Sequence, residues 1–402
     1  MSTTATTPAS LSRRIKQHVH APLHTWFAPC PPGFEPVVAQ ELRDLEAEDV
    51  VPEAGGVAFR GKLEVGYRAN LWLRAANRVL LRLAEFRAKR PEELFRHARG
   101  LYWEAFLALD VPLRFSISTY KSWLKHEGML EATLRDAIRR RLEEVGLDTA
   151  VADLEPAEGE DPLVQRLMVR LEEDRLTLSL DTTGEHLHRR GYRQATAKAP
   201  LRENLAAGLL LTAGYDGERP LVDPMCGSGT LAIEAAFIAR RLPPGAHRSF
   251  LFERWPSFRA ATWAHLKKKA LEEALPAAPA PIVARDTHGG ALRAAEANAE
   301  RAGVSGDLVL EQADFFQASP PEGAGWVVMN PPYGLRVGES EDIRALYRRI
   351  GGRLRSAYAG WDFALLVPEA RLIEVLGLPA EPPLWIPHGG LKVAVVRGKV
   401  PV

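Results

Sequence analysis

The sequence predicts an α/β protein of more than one domain, and three observations carry that expectation. Its 402 residues exceed what one ordinary hydrophobic core organises. Beyond about residue 199, short β-rich apolar runs alternate with longer helical patterns, as in a sheet whose strands are joined by helical crossovers. In that half, successive strands end on Asp223, Asp286, Asp314 and Asn330, polar residues at the edge where open α/β sheets bind ligands.

Composition narrows the class. The chain is 46% apolar and 26% charged, as globular proteins are. No apolar run approaches the roughly 18–20 residues that a membrane span needs, so no membrane partner is expected. Cys30 and Cys226 are the only cysteines, which excludes a disulfide framework, offers no zinc set and suits a reducing cytoplasm. The net charge of +1 is uneven: from Arg60 to Leu142, 18 Lys and Arg stand against 9 Asp and Glu. A basic middle segment fits a polyanion, although solvated helix faces carry such charge too.

Residues 1–21, Ser/Thr/Ala-rich and then basic, lack the apolar stretch of a secretory signal and read as a flexible tail. His18, His20 and His24 lie close together, but nothing nearby completes a metal site, and none is expected. Thr25–Ala28 reads as a strand, Glu35 to Leu45 as a helix, and Val57–Phe59 as a second strand after the Gly55-Gly56 turn, a small α/β unit over 22–61. Leu63 to Asn70 and Leu71 to Ala84 read as two helical segments. Leu113 to Ser118 alternates as a half-buried strand, and Glu131 to Val145 reads as a helix carrying Arg139 and Arg140. Between them, Lys121, Trp123 and Lys125 interleave cations with Tyr120 and Trp123, a pattern that serves a single-stranded or looped RNA and also a core aromatic with snorkelling lysines. Leu163 to Glu172 and Arg175 to Asp181 form an expected hairpin turning at Glu173-Asp174. The strip from His186 to Arg193, with Arg189, Arg190 and Arg193 and no acid before Glu203, reads as a linker doubling as an RNA contact.

The second half holds the chemistry. Leu221 to Thr230 is a strand, a glycine-rich turn through Cys226, Gly227, Ser228 and Gly229, and a helix start. NAD, FAD and S-adenosylmethionine sites all use such a turn; no third glycine completes the dinucleotide fingerprint, and Asp223 favours a ligand with a cationic ammonium. Asp286 ends the next strand and suits ribose hydroxyls, while Asp314 suits an adenine amine with Phe315 packed on the ring; each could also be a cap or core filler. Asn330-Pro331-Pro332-Tyr333 follows a buried strand. The Asn330 carbonyl and the Pro331 backbone carbonyl are acceptors that could grip both N–H bonds of a planar amine, with Tyr333 stacked on its ring. A plain strand end with a Pro-Pro turn and an aromatic cap fits the four residues equally.

Taken together, these motifs resemble the bacterial RNA guanine-N2 methyltransferases that carry a THUMP RNA-binding domain, over nearly everything from residue 25. Pro32-Gly33-Phe34-Glu35 is similar to that family's ferredoxin-like turn, and His188 to Arg193 with Ala199-Pro200-Leu201-Arg202-Glu203-Asn204 to its linker and following helix. Asp223 to Thr230 and Asn330 to Tyr333 match its cofactor and target-amine motifs. The resemblance implies a ferredoxin-like unit over 22–61, a THUMP domain over 62–181 and a Rossmann-like methyltransferase domain over 182–402. It also implies S-adenosylmethionine at Ala199, Pro200, Leu201, Asp223, Cys226 to Gly229, Asp286, Asp314, Phe315 and Asn330, with 23S ribosomal RNA or tRNA as partner of a monomer. A DNA adenine or a protein glutamine is the alternative acceptor.

Overall fold

A computed structural model describes residues 9–152, 163–193, 201–333 and 343–402. Two seven-stranded sheets organise it. The first contains β1 (His24–Pro29), β2 (Glu48–Glu53), β3 (Gly56–Gly61), β4 (Leu80–Arg87), β5 (Leu113–Tyr120), β6 (Gln165–Glu172) and β7 (Arg175–Asp181), in the order β2-β3-β1-β4-β7-β6-β5. All neighbours are antiparallel except β5 and β6, which run parallel and are bridged by the helix Glu127–Glu144. At the β6–β7 turn Glu173 and Asp174 both take positive φ, the backbone of a two-residue hairpin that follows the strands' twist.

Two expectations fail here. The stretch 71–84 is not a helix: the helix Leu63–Trp72 ends and the chain re-forms as β4. Its Leu, Ala, Glu and Arg favour helix locally, but β4 is paired on both sides, by β1 and β7, and those shared backbone hydrogen bonds override propensity. The same pairing carries one sheet through residue 61. The tail is also ordered from residue 9. Ala9–Ile15 is helical and continues into the wider turn Lys16–His20; Leu11, Ile15 and Val19, four apart, share one face and are buried. His18 stacks on Tyr102 at 4.9 Å, Arg14 lies 3.5 Å from Glu104, and His20 bonds the Ser257 carbonyl at 2.9 Å. Residues 1–8 lie outside the described residues.

The second sheet holds β8 (Leu221–Asp223), β9 (Ile282–Asp286), β10 (Leu308–Gln312), β11 (Trp326–Met329), β12 (Asp362–Val367), β13 (Leu384–His388) and β14 (Leu391–Lys399), in the order β10-β9-β8-β11-β12-β14-β13. Strands β8 to β12 are parallel, and β14 runs antiparallel between β12 and β13. Both faces are covered. Trp326 and Val328 point into one core and Val327 and Met329 into the other, the period-two alternation of a central strand. From β8 the chain steps outward to β9 and β10, then returns to β11 on the other side. The sheet thus reverses between β8 and β11, and a crevice opens at their carboxyl ends.

The two halves are packed together. The turn Leu251–Arg254 and helix Ala260–Glu272, inserted before β9, lay Phe250, Phe252 and Trp263 against the first half; Tyr67 and Phe252 stack at 4.5 Å. Among the described residues no helix is long and apolar enough to cross a membrane.

Candidate active site

Asp223 and the Asn330 tetrad follow neighbouring strands at the crevice, since β8 and β11 pair directly. Asp223 is 1% exposed. Its Oδ1 accepts a 3.4 Å hydrogen bond from the Met225 N–H, whereas Oδ2 is buried with no protein partner. Burial, with the nearby Asp286 charge adding to it, pushes its carboxyl up to about 8. An acid in this state is costly until a cation meets it.

The turn that follows is shaped by backbone. The Cys226 N–H donates to the Arg285 carbonyl at 2.8 Å, and the Gly227 N–H donates to Asp286 Oδ2 at 3.0 Å. Gly227 (φ +53°) and Gly229 (φ +83°) take the left-handed conformation, and a Cβ on Gly229 would stand 2.9 Å from that of Ala295. Glycine there lets the helix Gly289–Ala302 close on the turn. Asn298 on that helix donates to the Ser228 carbonyl at 3.0 Å. The Cys226 thiol is buried and pushed upward by burial and by Asp223 and Asp286, so it stays an inert thiol.

Asp286 also accepts the His288 N–H at 2.9 Å, leaving part of its carboxylate for a ligand. Asp314 accepts the Phe316 N–H at 2.9 Å and the Gln317 side chain at 3.3 Å, so it orders its own turn as well. Phe315 departs from expectation: it is 2% exposed and packed in the core against Phe316 and Tyr358. The half-buried ring in that turn is Phe316, with the Arg349 guanidinium 4.0 Å above it. Leu201 is buried, and Ala199 and Pro200 lie outside the described residues.

Asn330 is half-buried, Pro331 buried and Pro332 exposed. The Tyr333 hydroxyl donates to Asn330 Oδ1 at 2.7 Å, and burial raises its proton affinity, keeping it a phenol. An amide carbonyl has two lone pairs, so one remains for a ligand N–H. His388, at the end of β13, meets the Tyr333 ring edge-on at 5.8 Å and had no local signal in the sequence.

The expected RNA-contact residues divide. Lys121, Trp123 and Lys125 are exposed together, Trp123 at 75% and Tyr120 at 55%, with Lys121 Nζ 5.0 Å over the Tyr120 ring. The Trp123 N–H is anchored on Asp174 at 2.8 Å, so the ring is presented from a fixed backbone. Arg139 pairs with Asp136 at 3.3 Å and Arg140 with Glu143 at 3.2 Å along their own helix. Arg189 is exposed, 3.6 Å from Glu185.

Arg190 and Arg193 are not surface contacts. Arg190 is buried, 3.4 Å from Glu234 and bonded to the Leu187 and Arg74 carbonyls, and so braces the first half against the helix Thr230–Ala239. Arg193 lies 3.3 Å from Glu203 and bonds the Leu201 carbonyl and Thr230 hydroxyl. Each guanidinium meets a buried acid, and a buried carboxylate requires such a partner. Glu234, set in Thr230–Ala239 among Leu, Ile, Phe and Ala, was the signal in the sequence. Arg202 is exposed with no ion-pair partner among the described residues, and its charge bears on His186, His188 and His388.

Comparison with known proteins finds relatives over both halves of the chain. The RMKL-like methyltransferase domain model matches residues 190–379, and the RlmL ferredoxin-like domain model matches residues 25–80, running past the expected boundary at 61. A ribosomal RNA large subunit methyltransferase K/L of Syntrophotalea carbinolica is 38% identical over 384 residues, covering 92% of this chain and 53% of that protein. A putative RNA methyltransferase, slr0064, of a Synechocystis strain is 32% identical, covering 92% of this chain and 96% of that one. The crystal structure of SMU.472, a putative methyltransferase complexed with SAH, superposes with a TM-score of 0.83 at 29% identity, over 94% of this chain and 99% of that chain. The chain spans about half the length of the K/L relatives it matches.

Proposed function

The chain belongs to the family of RMKL-like methyltransferases, and from that premise we propose that it methylates the N2 amine of a guanine in RNA, 23S ribosomal RNA ahead of tRNA, in the cytoplasm and as a monomer. The observation that carries the reading is the pair of groups across the sheet's reversal. A buried carboxylate with an orphan oxygen stands on β8, and an amine-acceptor motif follows its neighbour β11. The orphan Asp223 oxygen fits the ammonium of S-adenosylmethionine, Asp286 its ribose, and Asp314 its adenine amine. That ligand supplies an electrophilic methyl on a sulfonium.

The chain's own residues then do three things. The Asn330 side-chain carbonyl and the Pro331 backbone carbonyl accept the two N–H bonds of the amine, drawing its lone pair out of conjugation and holding it in line with the methyl. Both oxygens also face the positive charge that grows on that nitrogen. Tyr333 stacks on the flipped base, worth roughly 1–3 kcal/mol and offsetting the few kcal/mol needed to unstack it. The nitrogen that accepts the methyl would be acidified by its positive charge and would give up a proton to water, with no dedicated base among these residues.

The segment from 62 to 181 is the RNA-holding unit on this reading, with Tyr120, Lys121, Trp123 and Lys125 as its exposed contact and Arg202 as a phosphate contact nearer the crevice. The test is transfer of labelled methyl from S-adenosylmethionine to separately purified 23S ribosomal RNA and tRNA, with nucleoside analysis. N2-methylguanosine in one RNA, lost with Asn330→Ala, supports it. Methyl on an adenine, or on protein instead of RNA, overturns it.

A further inference from the structure

Tyr333 is held at both ends. Its hydroxyl donates to Asn330 at 2.7 Å, and its ring meets His388 at 5.8 Å with planes 85° apart. His388 comes from a different part of the chain, the last residue of β13 at the sheet's edge, 9% exposed. The Gly389-Gly390 turn, both at positive φ, returns the strand so that His388 pairs in register with Leu391. Burial, and then the nearby Arg202 charge, lowers the proton affinity of the His388 imidazole, and the group in ring contact with it is Tyr333. No hydrogen bond to a described residue occupies its ring, so the packing against Tyr333 is its evident engagement.

A stacking platform is useful only if its plane is set before the base arrives, because freezing an aromatic side chain on binding costs affinity. The two prolines fix the backbone before Tyr333 but leave the ring free to turn about its own side-chain bonds. Edge-to-face packing restricts that rotation.

We propose that His388 is a positioning residue for the methyl-accepting base: it locks the Tyr333 ring beside Asn330 so that an incoming planar base finds its stacking face already set. The inference rests on the proposed RNA methyltransferase reading. It assigns to the β13–β14 hairpin a share of substrate selection, and predicts that the lock acts through Tyr333 alone.

The experiment is a double-mutant cycle on the full chain, using His388→Ala, Tyr333→Ala and the pair, with His388→Phe as rescue. The readout is total methyl incorporation into ribosomal RNA, resolved by nucleoside, with S-adenosylhomocysteine affinity measured in parallel. His388→Ala is expected to lower kcat/KM for RNA about five- to tenfold, chiefly through KM, at unchanged S-adenosylhomocysteine affinity. His388→Phe restores most of it, and in the Tyr333→Ala background His388→Ala costs nothing further. Fully additive losses, no rescue by Phe, or an unchanged KM overturns the proposal. A methylated nucleoside other than N2-methylguanosine overturns the proposed function while the cycle stays readable. No RNA methylation by the unmodified chain overturns both.

Discussion

Replacing Asp223 with Asn tests the cofactor end of the crevice, because the acid is buried, orphaned at Oδ2 and held near 8. At pH 6, two units below that value, about one carboxyl in a hundred is ionised. A ligand ammonium requires the ionised form, so binding at pH 6 must first expel a proton, a penalty of a few kcal/mol that fades as pH approaches about 8. Affinity for S-adenosylhomocysteine should therefore rise nearly tenfold per pH unit from 6 to 8. It should level off above about 8, where the carboxyl is already ionised. Calorimetry in two buffers of different ionisation enthalpy should record close to one proton released at pH 6. Asp223→Asn abolishes the rise and the proton release, and weakens binding at pH 8 by about 1.5–3 kcal/mol, the worth of a charged hydrogen bond. The ligand-free protein carries the opposite sign. Its raised carboxyl contributes stability that is complete below the unfolded value near 3.8 and lost as pH climbs through about 8. An affinity flat from pH 6 to 8 without proton release would refute the assignment of Asp223.

Arg190→Ala leaves the buried Glu234 carboxylate without its ion-pair partner, with the Tyr192 hydroxyl at 3.2 Å still donating to it, and should cost about 3–5 kcal/mol in urea unfolding; an effect below 1 kcal/mol would mean the brace is dispensable. Trp123→Ala should weaken RNA binding by about 1–3 kcal/mol at constant cofactor affinity, and Lys121→Ala should reduce the salt slope by about one, both read by filter binding across salt concentrations. The linker His188 is driven down to about 3, mainly by burial and then by neighbouring His186 and arginines. A depressed histidine takes its proton first in the unfolded chain, so the stability it contributes is present above about 6.5 and lost as pH falls toward 3. His188→Gln should flatten that part of the acid unfolding curve.

The parts of the fold legible in the sequence were those written locally. The strand ends Asp223 and Asn330 announced themselves because apolar β-runs stop on a polar residue followed by glycine or proline, and the sheet reversal brings those two ends together. The Glu173-Asp174 turn was equally local. What failed depended on partners distant in sequence. Leu80–Arg87 looks helical until β1 and β7 flank it, and Leu11, Ile15 and Val19 look like a tail until the first half offers them a surface. A run of arginines reads as an RNA strip because charge is visible in sequence and pairing is not. Glu234, which takes Arg190 inside, is 44 residues further along. His388 could not be found at all, since its meeting with Tyr333 is made by sheet order rather than by spacing.

The central claim is that a guanine amine is methylated at the Asn330 carbonyl. The most direct measurement is mass-spectrometric mapping of unmodified 23S ribosomal RNA after incubation with S-adenosylmethionine and either the unaltered chain or Asn330→Ala. The account predicts one new methyl, on the exocyclic nitrogen of a single guanine, absent with Asn330→Ala. A methyl on a ring nitrogen or an adenine, or one that persists in Asn330→Ala, contradicts it.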